Sequence, residues 1–225
     1  SVSSSTRASA CVAVPHGSYL SRPRCWWQAR DCIFECNSTS GCDESCFNRV
    51  VGRGISLPLQ VFKTVGRGWG VRSRNPIRAG TFVCEYTGVM LRDEDAEAAG
   101  LEVDDSYLFN LDGEEKGQVA KRRKTSHEGP SGVDARTQDN PELCVDASRT
   151  GSVARFVNHC CDPNLFVQSV FVEYSRHVHR IALFAARDIL AYEELTYDYG
   201  YVVGSVQDKT LACLCGAANC RGTLV

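Results

Sequence analysis

The chain of 225 residues contains no long apolar run, a single methionine and almost no net charge. No stretch approaches the roughly 18 consecutive apolar residues of a membrane-spanning helix, so no membrane partner is expected. With 25 basic and 27 acidic residues the net charge is −2. Bulk charge therefore does not drive nucleic-acid coating, and strong direct nucleic-acid binding is not expected. A basic partner is easily accommodated. The opening stretch, Ser1 to Ala10, lacks the apolar core of a secretory signal. That absence weighs little, because a chain opening on Ser rather than Met reads as a trimmed piece. Helical periodicity is scarce too. One short acidic stretch, Asp93 to Ala99, is the clear helical candidate.

What is abundant is cysteine, with 13 residues. Six lie early (Cys11, Cys25, Cys32, Cys36, Cys42, Cys46), five late (Cys160, Cys161, Cys213, Cys215, Cys220), and Cys84 and Cys144 stand between in apolar surroundings. Two explanations compete: a disulfide framework in a secreted protein, or metal sites in an intracellular one. Spacing favours metal. The tail Cys213-Leu-Cys215-Gly-Ala-Ala-Asn-Cys220 has cysteines one residue apart, which seldom pair with each other but converge readily on one tetrahedral ion.

Residues 1–24 read as a loose, Ser- and Arg-rich lead-in. Residues 25–54 are dense in cysteine and poor in apolar side chains, so ligands to a metal stand in for a core. From Ile55 onward short strand-like runs follow one another: Leu57 to Phe62, Thr81 to Tyr86, Ser106 to Leu111, Leu165 to Val172 and Arg180 to Ala185. Turn residues separate most of them. The fold class is mainly β, built of small sheets. Residues 113–141 break the pattern and read as a disordered insertion in a surface loop. Its Lys121-Arg-Arg-Lys124 is either a nuclear import signal or a solvated basic patch.

Three motifs carry chemistry. Gly66-Arg67-Gly68-Trp69-Gly70 is a glycine-flanked turn, either a plain hairpin or a loop that lets backbone approach a ligand. It lacks the strand-then-helix setting of a dinucleotide fingerprint. Arg155-Phe-Val-Asn158-His159-Cys160-Cys161 is too polar for a core strand and reads as a loop; a Cys-His nucleophile is disfavoured because adjacent side chains do not easily aim at each other. Glu194-Leu-Thr-Tyr197-Asp198-Tyr199-Gly200 puts two tyrosines on alternate positions of an extended segment.

In this order, with Ile33-Phe-Glu-Cys-Asn37, Asn48-Arg-Val-Val51 and Asp104-Asp-Ser-Tyr-Leu-Phe109, these motifs resemble the SET-domain protein lysine methyltransferases. Within them the chain looks most like the suppressor-of-variegation group that methylates lysine 9 of histone H3. The resemblance runs from about Ile33 to Cys220. It implies a SET fold with a knot-like C-terminal core over 55–203, a reduced pre-SET zinc region over 25–54 and a post-SET zinc tail over 204–225. It implies that Arg67, Gly68, Trp69, Tyr107, Asn158 and His159 hold S-adenosylmethionine. It also implies a lysine channel lined by Tyr86, Phe109, Tyr197 and Tyr199, with Tyr199 the principal catalytic tyrosine, and Asp105 near its mouth to meet a basic tail. Tyr197, where relatives carry Phe or Tyr, points to mono- or dimethylation.

The resemblance further implies zinc ligands Cys161, Cys213, Cys215 and Cys220 in the tail, and Cys36, Cys42 and Cys46 before the SET domain. Here the chain departs from the family: nine pre-SET cysteines are usual, and Ser40 stands where relatives carry cysteine. A reduced cluster is expected. Cys160, often Ser in relatives, is expected to pack. The implied partner is a histone H3 tail or nucleosome, and the implied place is nuclear chromatin. The rival readings are a methyltransferase for another histone or non-histone lysine, and an inactive chromatin-binding SET module.

Overall fold

The computed structural model describes residues 33–92, 95, 107–111, 143–172, 178–201 and 211–224. Eleven strands among them form three small sheets. In the first, β1 (Ile33–Phe34) runs parallel to β9 (Leu165–Phe171), which pairs antiparallel with β10 (Arg180–Ala185), and β10 with β4 (Phe82–Tyr86). Strand β10 is apolar at five successive positions, Ile181 to Ala185, and all five are buried. Cover on both faces removes the usual inside–outside alternation.

The second sheet is a hairpin of β2 (Leu59–Lys63) and β3 (Trp69–Ser73), extended by β11 (Glu194–Tyr197) and β8 (Asn158–His159). Strand β8 pairs parallel to β11, with Asn158 opposite Thr196 and His159 opposite Tyr197. Two motifs 36 residues apart in sequence thus lie side by side. The third sheet orders β5 (Val89–Arg92), β7 (Leu143–Asp146) and β6 (Leu108–Asn110). The main core gathers Val71, Val83, Leu165, Ile181, Leu183 and Leu195 with Tyr86, Phe109 and Tyr197. Each large apolar side chain buried there stabilises the fold by about 1.5–3 kcal/mol. The three aromatics come from three different sheets, so closing the core also builds the site.

The mainly β expectation holds, and four of the five expected runs coincide with β2, β4, β9 and β10 within one or two residues. The fifth is represented by β6. The Asn158-His159 segment departs from the loop expected of it: it is a two-residue strand with His159 only 6% exposed. The backbone is satisfied by pairing with β11, and the imidazole by its own partners, described below. The Asp93–Ala99 helix (apart from Asp95), the 113–141 insertion with its basic tetrad, and Cys11, Cys25 and Cys32 lie outside the described residues.

Candidate active site and cysteine clusters

The glycine-rich turn closes the β2–β3 hairpin. Thr64 N–H donates to the Gly68 carbonyl at 2.9 Å, and Gly68 has φ +72°, a region open to glycine. A Cβ on Gly70 would lie 2.6 Å from the Thr64 methyl and 3.0 Å from Glu194 Oε1. Only glycine lets those chains meet. The turn leaves Trp69 half exposed, with Lys63 Nζ 4.9 Å from its ring centre.

Glu194, at the start of β11, ties this turn to β8. Its carboxylate accepts from Arg67 Nη2 at 2.7 Å and from Asn158 Nδ2 at 2.8 Å. Asn158 Nδ2 also donates to the Trp69 carbonyl at 3.0 Å. Arg67, Trp69 and Asn158, expected at one site, are therefore joined directly. Glu194 was quoted in a sequence motif without a role; its partners 127 and 36 residues away give no local signal. Tyr107 lies under the Arg155 guanidinium, 4.9 Å from its ring centre, and Arg155 Nη2 donates to the Ser148 carbonyl at 2.6 Å.

The aromatic residues form a continuous row. Ring centres are 5.1 Å apart for Tyr86 and Phe109, 6.4 Å for Phe109 and Tyr197, and 4.8 Å for Tyr197 and Tyr199. Tyr201 continues it at 6.0 Å from Tyr199. Two hydroxyls donate to backbone carbonyls at 2.8 Å: Tyr86 to Tyr107 and Tyr199 to Val157. The Tyr197 hydroxyl is buried and has no hydrogen-bond partner among the described residues. Burial, reinforced by neighbouring tyrosines, pushes Tyr86, Tyr197 and Tyr199 above the ordinary phenol range. All three stay protonated at neutral pH. Phe109 is buried in the row as expected, whereas Asp105 lies outside the described residues.

His159 stands behind this row. Its Nδ1 accepts the Tyr199 N–H at 3.2 Å, which leaves the proton on Nε2, 3.3 Å from Cys161 Sγ. The sequence disfavoured a His–Cys contact between neighbours, and the contact formed is with Cys161, two residues on.

Cys161, Cys213, Cys215 and Cys220 bring four Sγ atoms within 4.8 Å of one another. Four sulfurs with no open position fit a structural zinc site. Burial opposes ionisation of the cluster thiols; backbone bonds at Cys161 and Ala217 nevertheless bring Cys215 to about 6, and Arg221 and His159 bring Cys161 to about 7, whereas burial pushes Cys213 up to about 12. Thiolate is the form that binds metal. Cys160 is not in this set; its thiol donates to the Asp162 carbonyl. Burial pushes Cys84 up to about 12, as suits an inert core thiol.

Cys36, Cys42 and Cys46 also cluster within 4.8 Å. Their loop is pinned by Arg49, whose Nη2 donates to the Asn37 and Cys42 carbonyls at 2.5 and 3.0 Å. Ser40 supplies no sulfur; its Oγ accepts the Asn37 N–H at 2.9 Å. Sequence reasoning assigned no role to Glu35, whose buried carboxylate accepts the N–H groups of Val50, Val51 and Gly52 at 2.8, 2.6 and 2.9 Å.

The SET domain family matches residues 68–200. The chain is 40% identical over 210 residues to the H3 lysine-9 specific histone-lysine N-methyltransferase SUVH4 of Arabidopsis thaliana, covering 88% of this chain and 33% of that protein. It is 40% identical over 204 residues to Su(var)3-9 of Drosophila pseudoobscura pseudoobscura, covering 85% and 29%. The chain thus spans about a third of the length of these relatives. Among solved structures it is similar to the Neurospora SET domain protein DIM-5, a histone lysine methyltransferase, with TM-score 0.68, 32% identity and 95% and 77% coverage. KRYPTONITE, solved with mCHH DNA, H3(1–15) peptide and SAH, matches with TM-score 0.67, 39% identity and 86% and 35% coverage. The chain belongs to the SET domain family.

Proposed function

We propose that this chain methylates lysine 9 of histone H3 with S-adenosylmethionine as methyl donor, stopping at mono- or dimethylation. The observation that carries the reading is the row Tyr86–Phe109–Tyr197–Tyr199, joined through β8 and β11 to the Arg67–Glu194–Asn158 link. The DIM-5 and KRYPTONITE similarities support it.

Bound S-adenosylmethionine supplies a sulfonium methyl; Arg67, Gly68, Trp69, Tyr107, Asn158 and His159 would hold it. A lysine side chain has an ordinary pKa of about 10.4 and is protonated at pH 7, so it does not attack a methyl group. Apolar aromatic walls disfavour its ammonium form and lower that value. The tyrosines do not take the proton, because burial keeps them as phenols. Their role is positional. The hydroxyl protons of Tyr86 and Tyr199 are committed to carbonyls, which leaves oxygen lone pairs to accept from the amine. In-line transfer needs amine and methyl about 3–3.5 Å apart, and fixing that geometry is the catalytic contribution.

Product restriction rests on the Tyr197 hydroxyl, which has no partner among the described residues. A buried hydroxyl without a partner is costly, and an amine or a water in the channel satisfies it. It also occupies the volume a bulkier, methylated amine needs to turn. The four-sulfur tail fits zinc, which would hold the tail beside the channel and take no part in the transfer. The division into lead-in, pre-SET, SET and post-SET segments, the histone tail or nucleosome as partner, and a nuclear site of action belong to the same reading.

Mass spectrometry of a histone H3 tail peptide incubated with the chain and S-adenosylmethionine tests it. One or two methyl groups at lysine 9 are expected, lost in Tyr199→Phe and extended to trimethylation in Tyr197→Phe. No transfer by protein with zinc and cofactor bound overturns the reading, and abundant trimethyl-lysine from the unaltered chain overturns the product restriction.

A further inference from the structure

Arg221 follows the last tail cysteine and meets Cys161, Asp198 and Tyr201, the Cys161 contact involving its side chain as well as its backbone. Its Nη2 donates to Asp198 Oδ1 at 2.8 Å and its Nη1 to the Tyr201 carbonyl at 3.3 Å. Its backbone N–H donates to Cys161 Sγ at 3.4 Å. One residue thus touches a cluster sulfur and both ends of the 198–201 segment. Between those two anchors lies Tyr199, whose ring packs on Tyr197 and Tyr201. Asp198 Oδ1 also accepts the Gly200 N–H at 2.9 Å, so the carboxylate that Arg221 grips is the one shaping the turn after Tyr199. The second route from the cluster to the same residue runs from Cys161 through His159 to the Tyr199 N–H.

We propose that Arg221 is a positioning residue: it fixes Tyr199 and Tyr201 at the lysine channel once the tail has folded around its four sulfurs. The inference rests on the lysine-channel reading and assigns a cause to the tail's presence there. The Arg221 and Asp198 side chains are 37% and 43% exposed, and an ion pair this open adds little to stability. What a planar guanidinium supplies is direction, because it engages a carboxylate and a carbonyl at the same time. A lysine is a point charge on a flexible stem and does not hold both acceptors in a fixed plane. Arg221 acts on the two rings through its bonds to Asp198 and the Tyr201 carbonyl. Its effect travels through the backbone of 198–201, and only when Cys161 and Cys220 are held together.

The test uses the zinc-loaded chain and its Arg221→Ala, Arg221→Lys, Asp198→Asn and Arg221→Ala/Asp198→Asn variants. Arg221→Ala is expected to retain its zinc and its affinity for SAH while kcat/KM for a lysine peptide falls about tenfold, the scale of a small misplacement of reacting groups. Arg221→Lys recovers only part of that loss. The double variant is no worse than Asp198→Asn alone, because the two act through one contact. Hydrogen exchange supplies a readout free of catalysis. Amides of 197–201 exchange faster in Arg221→Ala and in the zinc-stripped parent, while those of β9 and β10 do not change. Parental exchange at 197–201 in Arg221→Ala overturns the proposal, as does zinc loss in that variant, which makes Arg221 a staple of the tail. If the parent methylates no lysine peptide, the channel reading fails while the exchange data still decide whether Arg221 orders this segment.

Discussion

The two cysteine clusters differ in how much chain each one joins. Cys36, Cys42 and Cys46 come from one loop of 11 residues, so their sulfurs close a local turn. Cys161, Cys213, Cys215 and Cys220 join a segment beside β8 to a tail more than 50 residues later. The first cluster is anchored on structure away from the channel, through Arg49 and the Glu35 carboxylate under Val50–Gly52. The second is wired to the channel itself, through His159 to Tyr199 and through Arg221 to Asp198. On the proposed reading, the loop cluster supports the scaffold and the tail cluster orders the site. The unequal sulfur count agrees. The loop brings three sulfurs together, with Ser40 bonded to Asn37, and the tail brings four.

Loss of one tail sulfur should cost the most activity. Cys215→Ser should lower kcat/KM for a lysine peptide by about 100-fold while the far-ultraviolet circular dichroism stays near that of the parent. Cys42→Ser should do the reverse, lowering the melting temperature and leaving kcat/KM within a few-fold. Parallel zinc analysis and steady-state kinetics check both. A comparable loss of activity in Cys42→Ser contradicts the division of labour.

Next comes the scaffold. Glu35→Ala leaves three buried or half-buried N–H groups without their acceptor, which costs about 3 kcal/mol and lowers the melting temperature by about 5–10 °C. Zinc held by the tail should not change. Thermal melts with metal analysis read this directly. Ser40→Cys gives the loop a fourth sulfur, so metal should leave the loop more slowly under a chelator while activity remains that of the parent. A chelator time course with a colorimetric zinc reporter shows it.

Much of this was legible in the sequence, for physical reasons that also explain the gaps. Strand β10 is read easily because Ile181 to Ala185 is a short, fully apolar run. Strands β5 and β7 were not foreseen. Leu143–Asp146 is four residues long, half apolar, and pairs with Val89–Arg92 more than 50 residues earlier. No local pattern announces such a pairing. The motif residues were found because their residue types are unusual together, yet the links between motifs were not. Glu194 joins Arg67 to Asn158, and Arg221 joins the tail to Asp198, and each depends on a fold that brings distant segments into contact. The strand formed by Asn158 and His159 runs against their polarity, because the partners that satisfy His159 come from Tyr199 and Cys161 and not from solvent.

If a metal-ordered tail completes the lysine channel, zinc removal and return should switch methyl transfer off and on. A histone H3 tail peptide is incubated with S-adenosylmethionine and the chain as purified, stripped of zinc, and reloaded, and the products are weighed by mass spectrometry. One or two methyl groups at lysine 9 are expected, lost on stripping and regained on reloading. Undiminished transfer by zinc-free protein, or none by protein with zinc and cofactor bound, would contradict that.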